Sequence, residues 1–333
     1  MNQTPVYIDG WSNLSAQATF EPNHDRPTVA VADGVFFRAQ EPDYKTLLPR
    51  RQLRRWDRVV RMGLATALQA LERAGQPAVD AILSSTAWGC VRATEEFLEA
   101  LVANGERYMA PTAFVQSTHN TVAAQIGRLL SNTGYNMTYT QGVASFDLAL
   151  WDAIDLLQDA QHVLICNTEE LTPLLKGLLE RLACATPARP MGEGAACFVL
   201  SQIPNSHSIA RLVGLELGFR LDRAMRHRTI TALLQKAGYE ITDLDLLLAP
   251  HPPNSSEQLL FQSVPWYAYE TWGGHYPTQS AFGLGIAVAA LDGENVAQHL
   301  LGADPNLNRI GLYQQQEDYW SFLMLDRRGL KNK

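Results

Sequence analysis

Three segments of the chain place chemistry-bearing side chains where folds of strands and helices build sites. The first is Tyr139-Thr140-Gln141-Gly142-Val143-Ala144-Ser145-Phe146, read as a strand, a tight turn of small residues and then a helix. A side chain at such a turn projects at a helix N-terminus, where amide donors and the dipole favour negative charge. A thiol there would ionise readily and act as a nucleophile. The pivotal position carries Gln141 instead, and an amide cannot attack a carbonyl. The same residues also read as an ordinary strand-to-helix turn. The second segment is Leu246-Leu247-Leu248-Ala249-Pro250-His251-Pro252-Pro253-Asn254. His251 falls just beyond a buried strand, where α/β sheets place their sites. A lone loop histidine is also compatible with a structural or solvent-exposed role. The third is Trp272-Gly273-Gly274-His275-Tyr276-Pro277-Thr278, followed by the small-residue run Ala281 to Gly285. Glycines before His275 let backbones approach closely, which suits a buried site. It equally suits a turn before a core helix.

The remaining polar clusters carry less chemistry. Arg50, Arg51, Arg54, Arg55, Arg58 and Arg61 fall on neighbouring helical positions and could bind an acidic partner or a phosphate. They also read as a solvated face with internal ion pairs. Gly192-Glu193-Gly194 enters a strand rather than a helix, so it is no dinucleotide fingerprint. Cys166 ends an apolar strand and reads as a core thiol. Glu169 and Glu170 follow it as paired or capping groups.

The elements that must hold these residues alternate between strand and helix. Val6 to Ile8, Asp80 to Ser84, Asn136 to Thr140, Val163 to Cys166 and Ala195 to Leu200 read as strands. Helical periodicity runs over 48–75, 94–103, 121–130 (opened by Asn120) and 146–157. A second series starts at Ile209. It holds helices at 229–237, near 255–263 and at 281–291, and strands at 246–249 and 320–325. Residues 20–45 are polar and read as loops. The pattern predicts an α/β architecture with helices packed on sheets. The seam near 201–208 divides it into halves 1–205 and 206–333.

Composition bounds the classes available. At about 150 residues per domain, a chain of 333 residues predicts two domains or two fused halves. With 46% hydrophobic and 18% charged residues, disorder is excluded. A net charge of −7 argues against a nucleic-acid partner. Cys90, Cys166, Cys184 and Cys197 form neither a disulfide framework nor a zinc spacing, so no metal is expected. The start of the chain lacks the pattern of a signal peptide. The small-apolar run Ala281 to Leu291 is shorter than the ~20 residues of a membrane span. A soluble, cytoplasmic protein is expected.

Taken in order, the motifs resemble the ketosynthase family of the thiolase fold. Tyr7-Ile8-Asp9-Gly10-Trp11-Ser12 is similar to its opening strand and turn. Pro111-Thr112-Ala113-Phe114 with Asn120 resembles its stretch before the nucleophile strand. Asn167-Thr168-Glu169-Glu170, Gly192-Glu193-Gly194-Ala195-Ala196, and Gly274-His275 with Ala281 to Gly285 follow in family order. The resemblance spans most of residues 5–326. The departures are specific. Counted back from Glu169, the family's nucleophilic Cys falls on Gln141, a substitution characteristic of chain-length factors and of ketosynthase-like decarboxylases. Glu270 stands where many condensing enzymes carry Lys. Gly311-Leu312-Tyr313-Gln314-Gln315-Gln316 replaces the family's Gly-rich loop. Tyr276 to Phe282 is similar to relatives from aryl-polyene and flexirubin pigment clusters.

The resemblance implies a thiolase-like duplicated α-β-α-β-α layered fold. It implies a non-condensing, chain-length-factor-like subunit that pairs with a catalytic ketosynthase and shapes the acyl tunnel. Phe114, Thr140, Phe146 and Phe282 would line that tunnel or the subunit interface. Acyl chains would arrive on the phosphopantetheine of an acyl carrier protein, docked at Arg51, Arg54 and Arg55, with no cofactor of the chain's own. The alternatives are malonyl-carrier decarboxylation by Gln141, His251 and His275, a carrier-binding scaffold, and an enzyme using Cys166 or Ser145 as nucleophile.

Overall fold

The computed structural model describes residues 5–20, 30, 32–105, 107, 111–220, 222–252, 255–261, 264–302, 307–316, 318–327 and 330. Among them ten strands form one sheet. They are β1 (Val6–Leu14), β2 (Ala81–Ser85), β3 (Tyr135–Tyr139), β4 (His162–Glu169) and β5 (Gly194–Ser201), then β6 (Ala210–Phe219), β7 (Leu246–Ala249), β8 (Trp266–Ala268), β9 (Arg309–Gln316) and β10 (Tyr319–Asp326). The order is β3-β2-β4-β5-β1-β6-β10-β9-β7-β8. In the first five strands β2 pairs parallel with β3 and β4, while β5 runs antiparallel to β4 and β1. In the second five, β7 pairs parallel with β8 and β9, while β10 runs antiparallel to β9 and β6. Each series thus repeats the other outward from a short antiparallel seam, Val6↔Leu212 to Ile8↔Ala210.

Strand alternation builds the layers. Side chains along a strand point to opposite faces in turn. Ile165, Phe198, Leu246, Leu248, Leu323 and Leu325 face the core shared by the two series. Their neighbours Leu164, Cys166, Cys197 and Val199 face the outer layer of the first series. Leu247, Phe322 and Met324 do the same in the second. The shared core holds the Ser145–Leu156 and Ser280–Asp292 helices. The latter is buried from Ser280 through Leu291, as an all-apolar helix must be. The Arg58–Arg73 and Arg223–Lys236 helices cover the outer faces. The result is the expected α-β-α-β-α layering.

Several local expectations are corrected. The single helix over 48–75 is two pieces, Arg50–Leu53 and Arg58–Arg73, and a further short helix, Tyr44–Leu47, begins at the end of the segment 20–45 read as loop. Pro49 ends one turn, and Asp57 is extended (φ −63°, ψ 166°) because Trp56 turns inward and donates from Nε1 to Gln125 Oε1 at 3.0 Å. The residues standing in for the Gly-rich loop form strand β9, held between β10 and β7. Asn120 precedes its helix without a side-chain cap bond. Helices at Pro111–Gln116, Pro173–Arg181 and Asn295–Leu301 were not expected. Residues 21–29, 31, 253–254 and 262–263 of the segments read above lie outside the described residues. Among the described residues no helix is long and apolar enough to cross a membrane.

Two buried carboxylates lock the strand ends. Glu193, 1% exposed, takes a bidentate pair from Arg58 at 2.6 Å and accepts from Leu171 N and Ala39 N. Glu169 accepts from Ala87 N (2.5 Å), Trp88 N (3.2 Å), Thr86 Oγ1 (3.1 Å) and Thr278 Oγ1 (2.8 Å). It thereby ties the end of β4 to the β2 loop and to the start of the Ser280–Asp292 helix. Burial pushes its pKa up to about 7, and these hydrogen bonds only partly offset the shift.

Two predictions follow from this packing. A Cβ at Gly10, on the bulge of β1, would lie 2.1 Å from Ala70 O and 2.7 Å from Ala74 N. Gly10→Ala therefore costs about 3 kcal/mol, read as a lower urea midpoint at unchanged slope. Because the folded state holds the Glu169 proton more tightly than the unfolded chain, its contribution is complete below the ordinary carboxyl value of 4.5 and lost as pH rises through about 7. Unfolding free energies measured from about pH 5 to 8 should fall with pH, and Glu169→Gln should flatten that slope.

Candidate functional site

Gln141 stands where the edge of the sheet turns into the shared core. β3 ends at Tyr139, and Thr140 and Gln141 follow, both exposed. Gly142 takes φ +58°, a conformation that L side chains rarely adopt. A short turn over Gly142–Ala144 then leads into the Ser145–Leu156 helix. Ser145 is fully buried and its hydroxyl donates to Gly142 O at 2.8 Å. Cys166 is fully buried beside Cys197 on the paired strand. Neither offers an accessible nucleophile, so the reading that uses them has no support in the structure.

His251 lies beyond β7, half-buried, with its carbonyl accepting from Trp266 Nε1 at 3.3 Å. It lines a cleft of about 840 Å³ together with Phe37, Arg189, Glu270, Gln315 and Gln316. His275 sits at the edge of the same region and is 8% exposed. Its backbone is clamped on both sides, since His275 N donates to Pro190 O (2.7 Å) and Gly192 N donates to His275 O (2.9 Å). The clamp needs glycines: a Cβ on Gly192 would lie 1.8 Å from Gly273 O.

The His275 ring is held at one nitrogen. Nδ1 lies 2.6 Å from Glu270 Oε1, 3.0 Å from Arg189 Nη2 and 3.1 Å from Gln279 Nε2. Gln279 Nε2 also donates to Glu270 Oε1 at 2.8 Å, and Arg189 Nη2 stands 3.7 Å from that oxygen. Burial opposes ionisation of Glu270, but the hydrogen bonds from His275 and Gln279, with the charges of His275 and Arg189, outweigh it and hold the carboxyl below its usual range.

The structure thus brings His251, Glu270 and Arg189 to one cleft, with His275 bound to the latter two. Gln141 is not among the described residues that line it. Phe146 and Phe282 are core residues, 1% exposed, packed against Phe198 and Tyr269 respectively. Phe114 is on the surface, 58% exposed, with its ring 5.5 Å from that of Phe97.

The arginine cluster divides. Arg58 is spent on Glu193 and Glu41, and Arg61 lies over the Tyr44 ring. Arg50, Arg51, Arg54 and Arg55 remain exposed on the segment before the long helix. Arg189 and Gln279 were missed from sequence. Gln279, four residues after His275, carried a spacing signal; Arg189, 86 residues away, carried none.

A buried acid was also missed from sequence. Asp147, in the first turn of the Ser145–Leu156 helix, accepts from Gln314 Nε2, Tyr319 OH (2.7 Å) and Ser321 Oγ (2.6 Å) on β9 and β10. Burial raises its pKa against those three donors. It ties the helix that follows Gln141 to the second series of strands. The cavity beside it, at about 20 Å³, has room for one water.

Comparisons with known proteins agree with this architecture. Residues 31–185 match the model of the beta-ketoacyl synthase N-terminal domain. No curated protein matches the chain. Among solved structures, the ishigamide ketosynthase/chain length factor superposes with a TM-score of 0.76 at 17% identity, covering 97% of this chain and 99% of that one. A chain of the AntDE:AntF complex, a type II polyketide synthase acyl-carrier protein in complex with its ketosynthase bound to the hexaketide, gives 0.73 at 14% identity, with coverage of 97% and 99%. A beta-ketoacyl synthase from Burkholderia phymatum STM815 gives 0.74 at 14% identity, again with 97% and 99% covered. Over nearly its whole length, the chain has the thiolase-like fold of the ketosynthases.

Proposed function

We propose that the chain is a non-condensing, chain-length-factor-like subunit that pairs with a catalytic ketosynthase in type II polyketide biosynthesis, of the kind found in aryl-polyene clusters. The observation that carries this reading is Gln141. It occupies the turn from edge strand to core helix where the resemblance puts the nucleophile, and it offers only an amide.

The surface around that turn supports a partner. β3 pairs with β2 on one side and is the edge of the sheet on the other. An open edge invites a second chain. On it Tyr135 and Met137 are each 42% exposed, and Trp151, on the Ser145–Leu156 helix packed against it, is 57% exposed; Phe114 and Val115 of the Pro111–Gln116 helix are exposed at 58 and 64%. In this reading the acyl tunnel forms between the subunits, because Phe146 and Phe282 fill the core and the cavity beside Phe146 admits only a water. Arg51, Arg54 and Arg55 then face an acidic carrier protein bearing the phosphopantetheine-linked chain. Decarboxylation by Gln141, His251 and His275 would need the three to converge, and among the described residues neither Gln141 nor His275 lines the cleft that holds His251.

Co-expression with the ketosynthase encoded beside it, followed by size-exclusion chromatography with light scattering, should give a one-to-one complex. Met137→Lys with Trp151→Lys should weaken it by at least about tenfold while leaving the circular dichroism spectrum unchanged. A homodimer indifferent to that ketosynthase would sink the proposal. Arg54→Glu with Arg55→Glu should weaken carrier-protein binding by about tenfold in a salt-dependent way, measured by calorimetry on the complex.

A further inference from the structure

We infer that Glu270 fixes His275 in the tautomer protonated at Nδ1, so that the neutral ring carries Nε2 as a bare, proton-accepting nitrogen. The inference deepens the non-condensing reading and rests on His275 being a residue of that same site.

The argument is one of proton counting. An ionised carboxylate has acceptors only, and a neutral imidazole has one donor and one acceptor. Glu270 Oε1 and His275 Nδ1 are 2.6 Å apart. With no proton between them, two lone pairs would face each other at hydrogen-bond distance. Arg189 Nη2 and Gln279 Nε2 also approach Nδ1, at 3.0 and 3.1 Å, and would favour a bare nitrogen there. The balance goes to Glu270 for two reasons. Its contact is the shortest of the three and is charge-assisted. Both competing donors also have Glu270 Oε1 within reach, Gln279 at 2.8 Å and Arg189 at 3.7 Å, so neither is stranded when Nδ1 keeps its proton. Arg189, with 48% of its side chain exposed, is also open to water.

The consequence concerns the polarity of the site. Stabilising a developing enolate or oxyanion requires an N–H donor aimed at the oxygen. A lysine at position 270 has donors only, so it would demand a bare Nδ1 and leave Nε2–H free to donate. Glu270 reverses this. In this tautomer the neutral ring offers Nε2 only as an acceptor, and not as the N–H donor that a carbonyl oxygen needs. Glu270 is thus a positioning residue, acting through His275.

The test is a long-range proton–nitrogen NMR spectrum of the full chain labelled with nitrogen-15 histidine, taken on the high-pH plateau of the His275 titration. His275→Asn identifies its signals. The expected result is a pyrrole-type Nδ1 and a pyridine-type Nε2 in the wild type, at a ratio of at least about ten to one, with the pattern reversed in Glu270→Lys. A wild-type spectrum showing protonated Nε2 overturns the inference, and this arm needs no variant to fold. A Glu270→Lys protein that keeps the wild-type tautomer also overturns it, because Glu270 would then not be the cause. Complex formation with the ketosynthase is read separately by light scattering. Loss of the partner reading is therefore distinguishable from loss of the tautomer.

Discussion

Two backbones meet at Gly192 and Gly273 with no room for one more carbon. A Cβ on Gly192 would overlap Gly273 O, and one on Gly274 would lie 2.7 Å from Gly192 N. The contact joins the strand that closes the first series to the loop that carries His275. From it follow the clamped His275 backbone, the reach of Arg189 to the ring, and the wall of the cleft shared with His251. The first series supplies Arg189, and the second supplies Glu270, Gln279 and both histidines. A site assembled from both series exists only because bare backbone faces bare backbone at this point.

Glu193, Glu169 and Asp147, three of the buried carboxylates, show different answers to the same cost. Moving a charge out of water is expensive unless the interior replaces its hydration. Glu193 is answered by the bidentate guanidinium of Arg58. Glu169 and Asp147 have neutral donors instead, four and three respectively, and both titrate upward. Arg58 therefore belongs to the scaffold, although by sequence it sits among arginines of the surface. The partner that decides its role lies 135 residues away.

Much of the fold was legible because burial leaves a periodic trace. The run Leu246–Ala249 stands as a strand at the residues expected, bounded by a proline and apolar on both faces. The Thr121–Leu130 helix does the same for its own spacing. β9 was illegible, since Gly311 and three glutamines carry little strand preference and the ladder to β10 and β7 overrides it. The 48–75 segment failed for the opposite reason, a good helical pattern broken between Leu53 and Arg58, where Trp56 turns inward and Asp57 is extended. At the site, the residue types at 141, 251 and 275 could be read, and so could the spacing of Glu270 to His275. The meeting of His251, Glu270 and Arg189 at one cleft, with Gln141 outside its lining, could not, because it depends on how two series pack across one sheet.

The open side of β3 bears on how the cell must make this chain. An uncovered strand with apolar neighbours pairs with whatever strand it meets first, including that of an identical copy or of a partly folded chain. In the proposed pairing, synthesis in excess of the covering chain then yields precipitate rather than a reserve of free subunit. The abundance of this protein would in that pairing be set from outside, by the supply of the surface that closes its sheet.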